Sequence, residues 1–109
     1  MFAKSHRFSF KKGAPRSYYQ APLFVLRYDK NQIGSLRCAV VVGKKVDKRA
    51  VVRNKIKRQV LELIRELLSV DTKATIAVYA KKPILEAEID ERRSELKKAL
   101  GTTGILQWT

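Results

Sequence analysis

The stretch from Lys44 to Arg58 limits what this chain can fold into more than any other. From within it, Val52, Ile56 and Val60 recur every four residues, and the pattern continues through Leu63 and Leu67. That spacing gathers apolar side chains on one face of an α-helix and turns the face into a core. The same stretch holds eight cations, Lys44, Lys45, Lys48, Arg49, Arg53, Lys55, Lys57 and Arg58, against one acid, Asp47. Arg49, Arg53 and Lys57 recur every four residues and form a basic row, while Lys55 and Arg58, three apart, form another. Surface helices ordinarily mix charge signs to avoid self-repulsion, and this one does not. A helix that buries one face and charges the rest so heavily is suited to lie against a polyanion. A merely solvated face is the alternative, and the unmixed sign argues against it.

The rest of the composition sharpens the point. The chain of 109 residues carries 24 Lys and Arg against 10 Asp and Glu, a net charge of +14. Residues 1–58 hold 16 basic and 2 acidic side chains, Asp29 and Asp47, whereas residues 59–109 hold 8 of each. The whole excess therefore lies in one half, which implies a basic face on a folded protein. Hydrophobic residues at 45% exclude an unfolded basic tail. The length suits a single domain over 1–109, with residues 101–109 as a C-terminal tail.

No apolar run approaches the roughly 20 residues that span a bilayer, and the first residues lack the apolar core of a signal peptide. A cytoplasmic protein is expected. The single cysteine, Cys38, reads as a small core residue. With His6 as the only histidine, no Cys/His zinc set can be assembled.

A coarse pass along the chain predicts a short helix over 5–12 and a connector over 14–20 with room for a short strand. Leu23 to Tyr28 follows as a strand. Residues 29–35, with Asn31 and Gly34, form a hairpin-type turn. Leu36 to Gly43 is nearly continuous in apolar residues and is expected to be buried on most of both faces. Asp47 is expected to cap the long helix, which runs to about Leu68. Thr75 to Ala80 is a further strand. A last helix covers about 86–100 with Leu85, Ile89, Leu96 and Leu100 as its core stripe, and Gly101 stops it. The class is α+β with antiparallel character.

These residues also carry a family resemblance. The run Ala50-Val51-Val52-Arg53-Asn54-Lys55-Ile56-Lys57-Arg58 closely resembles the signature of the bacterial ribonuclease P protein component. The context is similar as well: Arg7-Phe8-Ser9-Phe10-Lys11-Lys12-Gly13, a strand Phe24-Val25-Leu26, the run from Arg37 to Lys45, and Ala80-Lys81-Lys82-Pro83 before a closing helix. The resemblance covers roughly residues 5–100. It implies a two-layer αβββαβα sandwich with a left-handed βαβ crossover, a hand that general sheet physics disfavours. It further implies a protein subunit, one per ribonucleoprotein, bound to a large catalytic RNA that removes the 5′ leader of precursor tRNA. The RNA would perform the chemistry and hold the Mg2+, with no metal held by the protein alone.

On this basis the RNA-binding set comprises Lys44, Lys45, Lys48, Arg49, Arg53, Asn54, Lys55, Lys57 and Arg58. The cations suit phosphate contacts. Asn54 suits either an RNA contact or a tie between the helix start and a nearby loop. The leader cleft is assigned His6, Phe8, Phe10, Lys11, Lys12, Arg27 and Arg37. Phe8 and Phe10 are stacking candidates, with a core position the alternative for Phe8. The family usually places two aromatics one helical turn apart, and here His6 stands four residues before Phe10. Arg27 likewise stands where the family has an aromatic, which shifts leader contact toward cation–π and phosphate interactions. Tyr18 and Tyr19 have no assigned place. Protein-borne cleavage is disfavoured, because metal-assisted phosphodiester hydrolysis needs clustered carboxylates and the basic half offers only Asp29 and Asp47. A structural RNA-binding protein such as a ribosomal protein is the alternative. A DNA-binding module ranks below it, since a strand precedes the basic helix where a helix-turn-helix needs a helix.

Overall fold

The computed structural model describes residues 17–30 and 36–107. Three strands come first: β1 (Ser17–Gln20), β2 (Phe24–Lys30) and β3 (Arg37–Val41). The long helix α1 (Ala50–Leu67) follows, then β4 (Ala74–Ala80), a short 3-10 turn (Lys82–Leu85), helix α2 (Ile89–Thr102) and a final 3-10 turn (Ile105–Gln107). The expected helix over 5–12 lies outside the described residues.

The strands form one mixed sheet in the order β1-β2-β4-β3. β2 pairs antiparallel with β1 and β4, and β3 pairs parallel with β4. β3, α1 and β4 therefore make a βαβ crossover between parallel neighbours. The hairpin expected after β2 is not formed, because β4 inserts between β2 and β3. Nor is β3 buried on both faces: it is an edge strand with an alternating pattern. That place belongs to β4, where Ile76, Ala77 and Val78 are all fully buried. An apolar run does not reveal whether its strand lies at the edge or the centre, since that depends on pairing between distant segments.

Alternation along the strands turns Leu26, Cys38, Val40, Ile76 and Val78 to one face. They join Ile56, Val60, Leu63 and Ile64 of α1 and Leu96 and Leu100 of α2 in a single core. Arg92 docks α2: its guanidinium donates to the Ile84 carbonyl through Nε at 3.2 Å and Nη2 at 2.7 Å. Its Nη1 donates to the Gln59 side chain of α1. Ile89, expected in the stripe of this helix, is 46% exposed at its first turn, and Leu85 lies in the preceding 3-10 turn.

The segment read as a tail is part of the fold through Leu106. Gly101 and Thr102 belong to α2, Thr103 is its C-cap, and Ile105 is fully buried. The chain reverses at Gly104, whose φ of 82° is a left-handed conformation that L side chains resist. The stop is thus displaced from Gly101 to Gly104. A Cβ added at Gly101 would meet only Leu106 Cδ1, at 3.9 Å. Gly101→Ala should therefore stabilise the protein by roughly 0.5–1 kcal/mol through helix propensity. Gly104→Ala should destabilise it by about 1–2 kcal/mol. Thermal denaturation should move the two midpoints in opposite directions.

Candidate nucleic-acid interface

The loop leading to α1 is pinned by one apolar side chain. Val46 is buried, and its N–H donates to the Gly43 carbonyl at 3.0 Å. Around it Lys44, Lys45 and Lys48 project into solvent. Asp47 does not cap the helix, which begins three residues later with Arg49 as an N-cap that makes no side-chain capping bond. Instead Asp47 Oδ1 accepts the Arg49 backbone N–H at 2.8 Å, a side-chain turn of the kind short carboxylates form. The Arg49 guanidinium closes on the same carboxylate, Nε to Oδ1 at 3.1 Å and Nη2 to Oδ2 at 3.0 Å. Hydrogen bonds from the Arg49 side chain and backbone hold the Asp47 carboxyl at about 2, well below its ordinary 3.8.

The basic row Arg49, Arg53 and Lys57 is divided in the structure. Arg49 is committed to Asp47. Arg53 is half-buried and turns back along the helix, its Nη1 donating to the carbonyls of Lys48 at 2.8 Å and Asp47 at 3.2 Å. At 3.6 residues per turn Arg53 falls on the side of Ile56 and Val60 rather than away from it. Lys57 is exposed. The side directly opposite the core carries Val51, Asn54, Lys55 and Arg58, all exposed. The Asn54 side chain makes no hydrogen bond among the described residues, so the expected alternative of a loop tie is not seen there. One turn beyond Arg58 the sign changes: Glu62 pairs with Arg65 at 3.7 Å, and Glu66 with Arg93 at 2.7 Å. Along α1 and the loop before it, the uncompensated cations therefore lie in the loop and the first half of the helix.

A second surface lies on the sheet face away from the core. Register places Tyr18 opposite Arg27, and Val25 opposite Tyr79. These four side chains line an open depression of about 330 Å³. Arg37 shares the face but not the depression, because it pairs with Thr75 on the far side of β4. Its Nε is buried without a hydrogen-bond partner among the described residues. His6, Phe8, Phe10, Lys11 and Lys12 lie outside the described residues. Sequence reasoning left Tyr18 unplaced and passed over Val25 and Tyr79. The alternation of Tyr79 with the apolar Ile76 and Val78 in β4 was the available sign that Tyr79 faces away from the core.

Among the described residues no group of three or more His, Cys, Asp and Glu side chains could hold a metal ion. No described helix is long and apolar enough to cross a membrane.

Residues 2–104 match the family profile Ribonuclease P. The chain belongs to the ribonuclease P protein family. A relative from Mesoplasma florum, a ribonuclease P protein component, is 32% identical over 85 residues, 76% of each chain. One from Thermus brockianus is 42% identical over 72 residues, 66% of this chain, and there the chain spans only 43% of the relative's length. Among solved structures, the RNase P protein of Staphylococcus aureus superimposes with a TM-score of 0.78 at 26% identity, covering 94% of this chain and 99% of that one. As a ribonuclease P protein component, the chain is a subunit of an RNA-partnered endoribonuclease of tRNA processing.

Arg53 in this family member has a structural duty that Lys57 lacks. Arg53→Ala should lower stability by ~1 kcal/mol, because the carbonyls of Asp47 and Lys48 lose their guanidinium donor, a midpoint shift of roughly 4–8 °C for a domain of this size. Lys57→Ala should leave the melting midpoint unchanged. The Asp47 turn has a pH signature. A carboxyl depressed in the fold contributes stability above its ordinary value of 3.8, and that contribution is lost as pH falls toward about 2. Asp47→Asn should remove this part of the acid dependence, as acid titration of the melting midpoint would read.

Proposed function

We propose that this chain is the subunit that binds the catalytic RNA of ribonuclease P through the solvent face of α1 and the preceding loop, and receives the 5′ leader of precursor tRNA on the sheet. The complex would cut the leader endonucleolytically and leave the mature tRNA 5′ end, in the cytoplasm, as one protein per RNA. The observation that carries this division is that the two surfaces differ in chemistry. Lys44, Lys45, Lys48, Lys55, Lys57 and Arg58 are exposed cations suited to phosphates, which give affinity and register without reading bases. The depression on the sheet instead offers Tyr18, 60% exposed, beside Arg27 and Tyr79. Single-stranded bases stack on such rings whatever their identity, and a guanidinium among them serves both stacking and phosphate contact. This is a ready surface for a leader that varies in sequence.

In this account the RNA supplies the cleavage chemistry and holds the Mg2+. The acids near the basic face are engaged in ion pairs: Asp47 with Arg49, Glu62 with Arg65, Glu66 and Asp90 with Arg93. The protein's part is to hold substrate and RNA together against their mutual charge repulsion, which lowers the Mg2+ concentration that cleavage requires.

Two measurements test this. RNA-free protein should not cleave precursor tRNA with any divalent metal, and addition of the cognate catalytic RNA should restore cleavage at low Mg2+; cleavage by the protein alone would overturn the account. Tyr18→Ala should weaken binding of leader-bearing tRNA to the holoenzyme by roughly 1–3 kcal/mol, with binding of mature tRNA and the melting midpoint unchanged. Equal losses for both tRNAs would remove the leader from this face.

A further inference from the structure

Val51 is the most exposed large apolar side chain among the described residues, at 78%, and it stands in the middle of the basic face. Nothing among the described residues accounts for it. It contributes nothing to the core, and a β-branched residue on the solvent side of a helix is less favourable there than alanine. Its neighbours on the helix surface, three, four and seven residues on, are Asn54, Lys55 and Arg58, all exposed. On its N-terminal side are Lys48, exposed, and Arg49, held by Asp47. An apolar centre within a polar and charged rim is the anatomy of a binding surface, where the rim is solvated and the centre excludes water.

Resting on the proposal that this face binds the catalytic RNA, we infer that Val51 is the apolar contact at the centre of that interface. It packs against the ribose or base edge of the RNA while Lys48, Lys55 and Arg58 engage the flanking phosphates. RNA offers such a target, because the minor groove of an A-form helix is wide and shallow, and its sugars present C–H surface there. The contact adds affinity that does not depend on counterion release, and so persists at salt concentrations that weaken the phosphate contacts.

That independence from salt makes the inference testable. Affinity for the cognate ribonuclease P RNA is measured against salt concentration for wild type, Val51→Ala, the near-isosteric Val51→Thr, Lys55→Ala and Arg58→Ala, with melting midpoints beside them. Val51→Ala and Val51→Thr should each lose affinity, Val51→Ala by about 5- to 10-fold for the apolar surface no longer buried. Their plots of log K against log salt should run parallel to wild type, at an unchanged melting midpoint. Lys55→Ala and Arg58→Ala should instead each reduce the slope by about one phosphate-equivalent. Unchanged affinity in Val51→Ala, with both cation variants weakened, would overturn the role of Val51 and leave the basic face standing. A lowered melting midpoint in Val51→Ala would make the residue structural and also overturn it. Unchanged affinity and slope in both cation variants would remove the RNA from α1 and overturn both proposals.

Discussion

Burial of the α1 stripe against the sheet is the interaction on which the rest of the molecule depends. Ile56, Val60, Leu63 and Ile64 are at most 4% exposed, and they meet Leu26, Val40, Ile76 and Val78 from three strands. Each such side chain contributes on the order of 1.5–3 kcal/mol when fully buried. Because the stripe must face inward, Lys55 and Arg58 must face outward, so the same packing that stabilises the domain aims its charge. Like charges this dense repel, and only a well-buried opposite side makes their crowding tolerable.

β4 plays the corresponding part for the sheet. It pairs with β2 on one side and β3 on the other, and it buries three consecutive residues. Its alternation sends Ile76 and Val78 to the core and Tyr79 to the opposite face beside Val25. β1 and β2 add Tyr18 and Arg27 to that face. One sheet thus supports a core on one side and an aromatic, cationic surface on the other.

What could be read from the residues was what local periodicity encodes. The long helix and its buried stripe follow from spacing, and the structure has them, with Val52 and Leu67 only partly buried at the two ends. The position of β4 between β2 and β3 could not be read, because strand order is set by pairings between distant segments. The pairing of Tyr18 with Arg27 stayed hidden for the same reason: register brings together residues nine positions apart in sequence. Side-chain partners were the least legible. Spacing put Arg53 on a basic row, but a long guanidinium can fold back along its helix, and here it reaches the carbonyls of Asp47 and Lys48. The helix start moved likewise, because Asp47 satisfies the Arg49 N–H in the loop instead of capping the first turn.

The central claim is that one side of one helix meets the catalytic RNA, although exposed lysines are scattered over much of the molecule. Chemical acetylation of lysines, read by mass spectrometry with and without the cognate RNA, tests it directly. Lys44, Lys45, Lys48, Lys55 and Lys57 should be protected in the complex, while the equally exposed Lys73, Lys97 and Lys98 should react as in the free protein. Uniform protection of all eight, or protection centred on Lys97 and Lys98, would contradict the account.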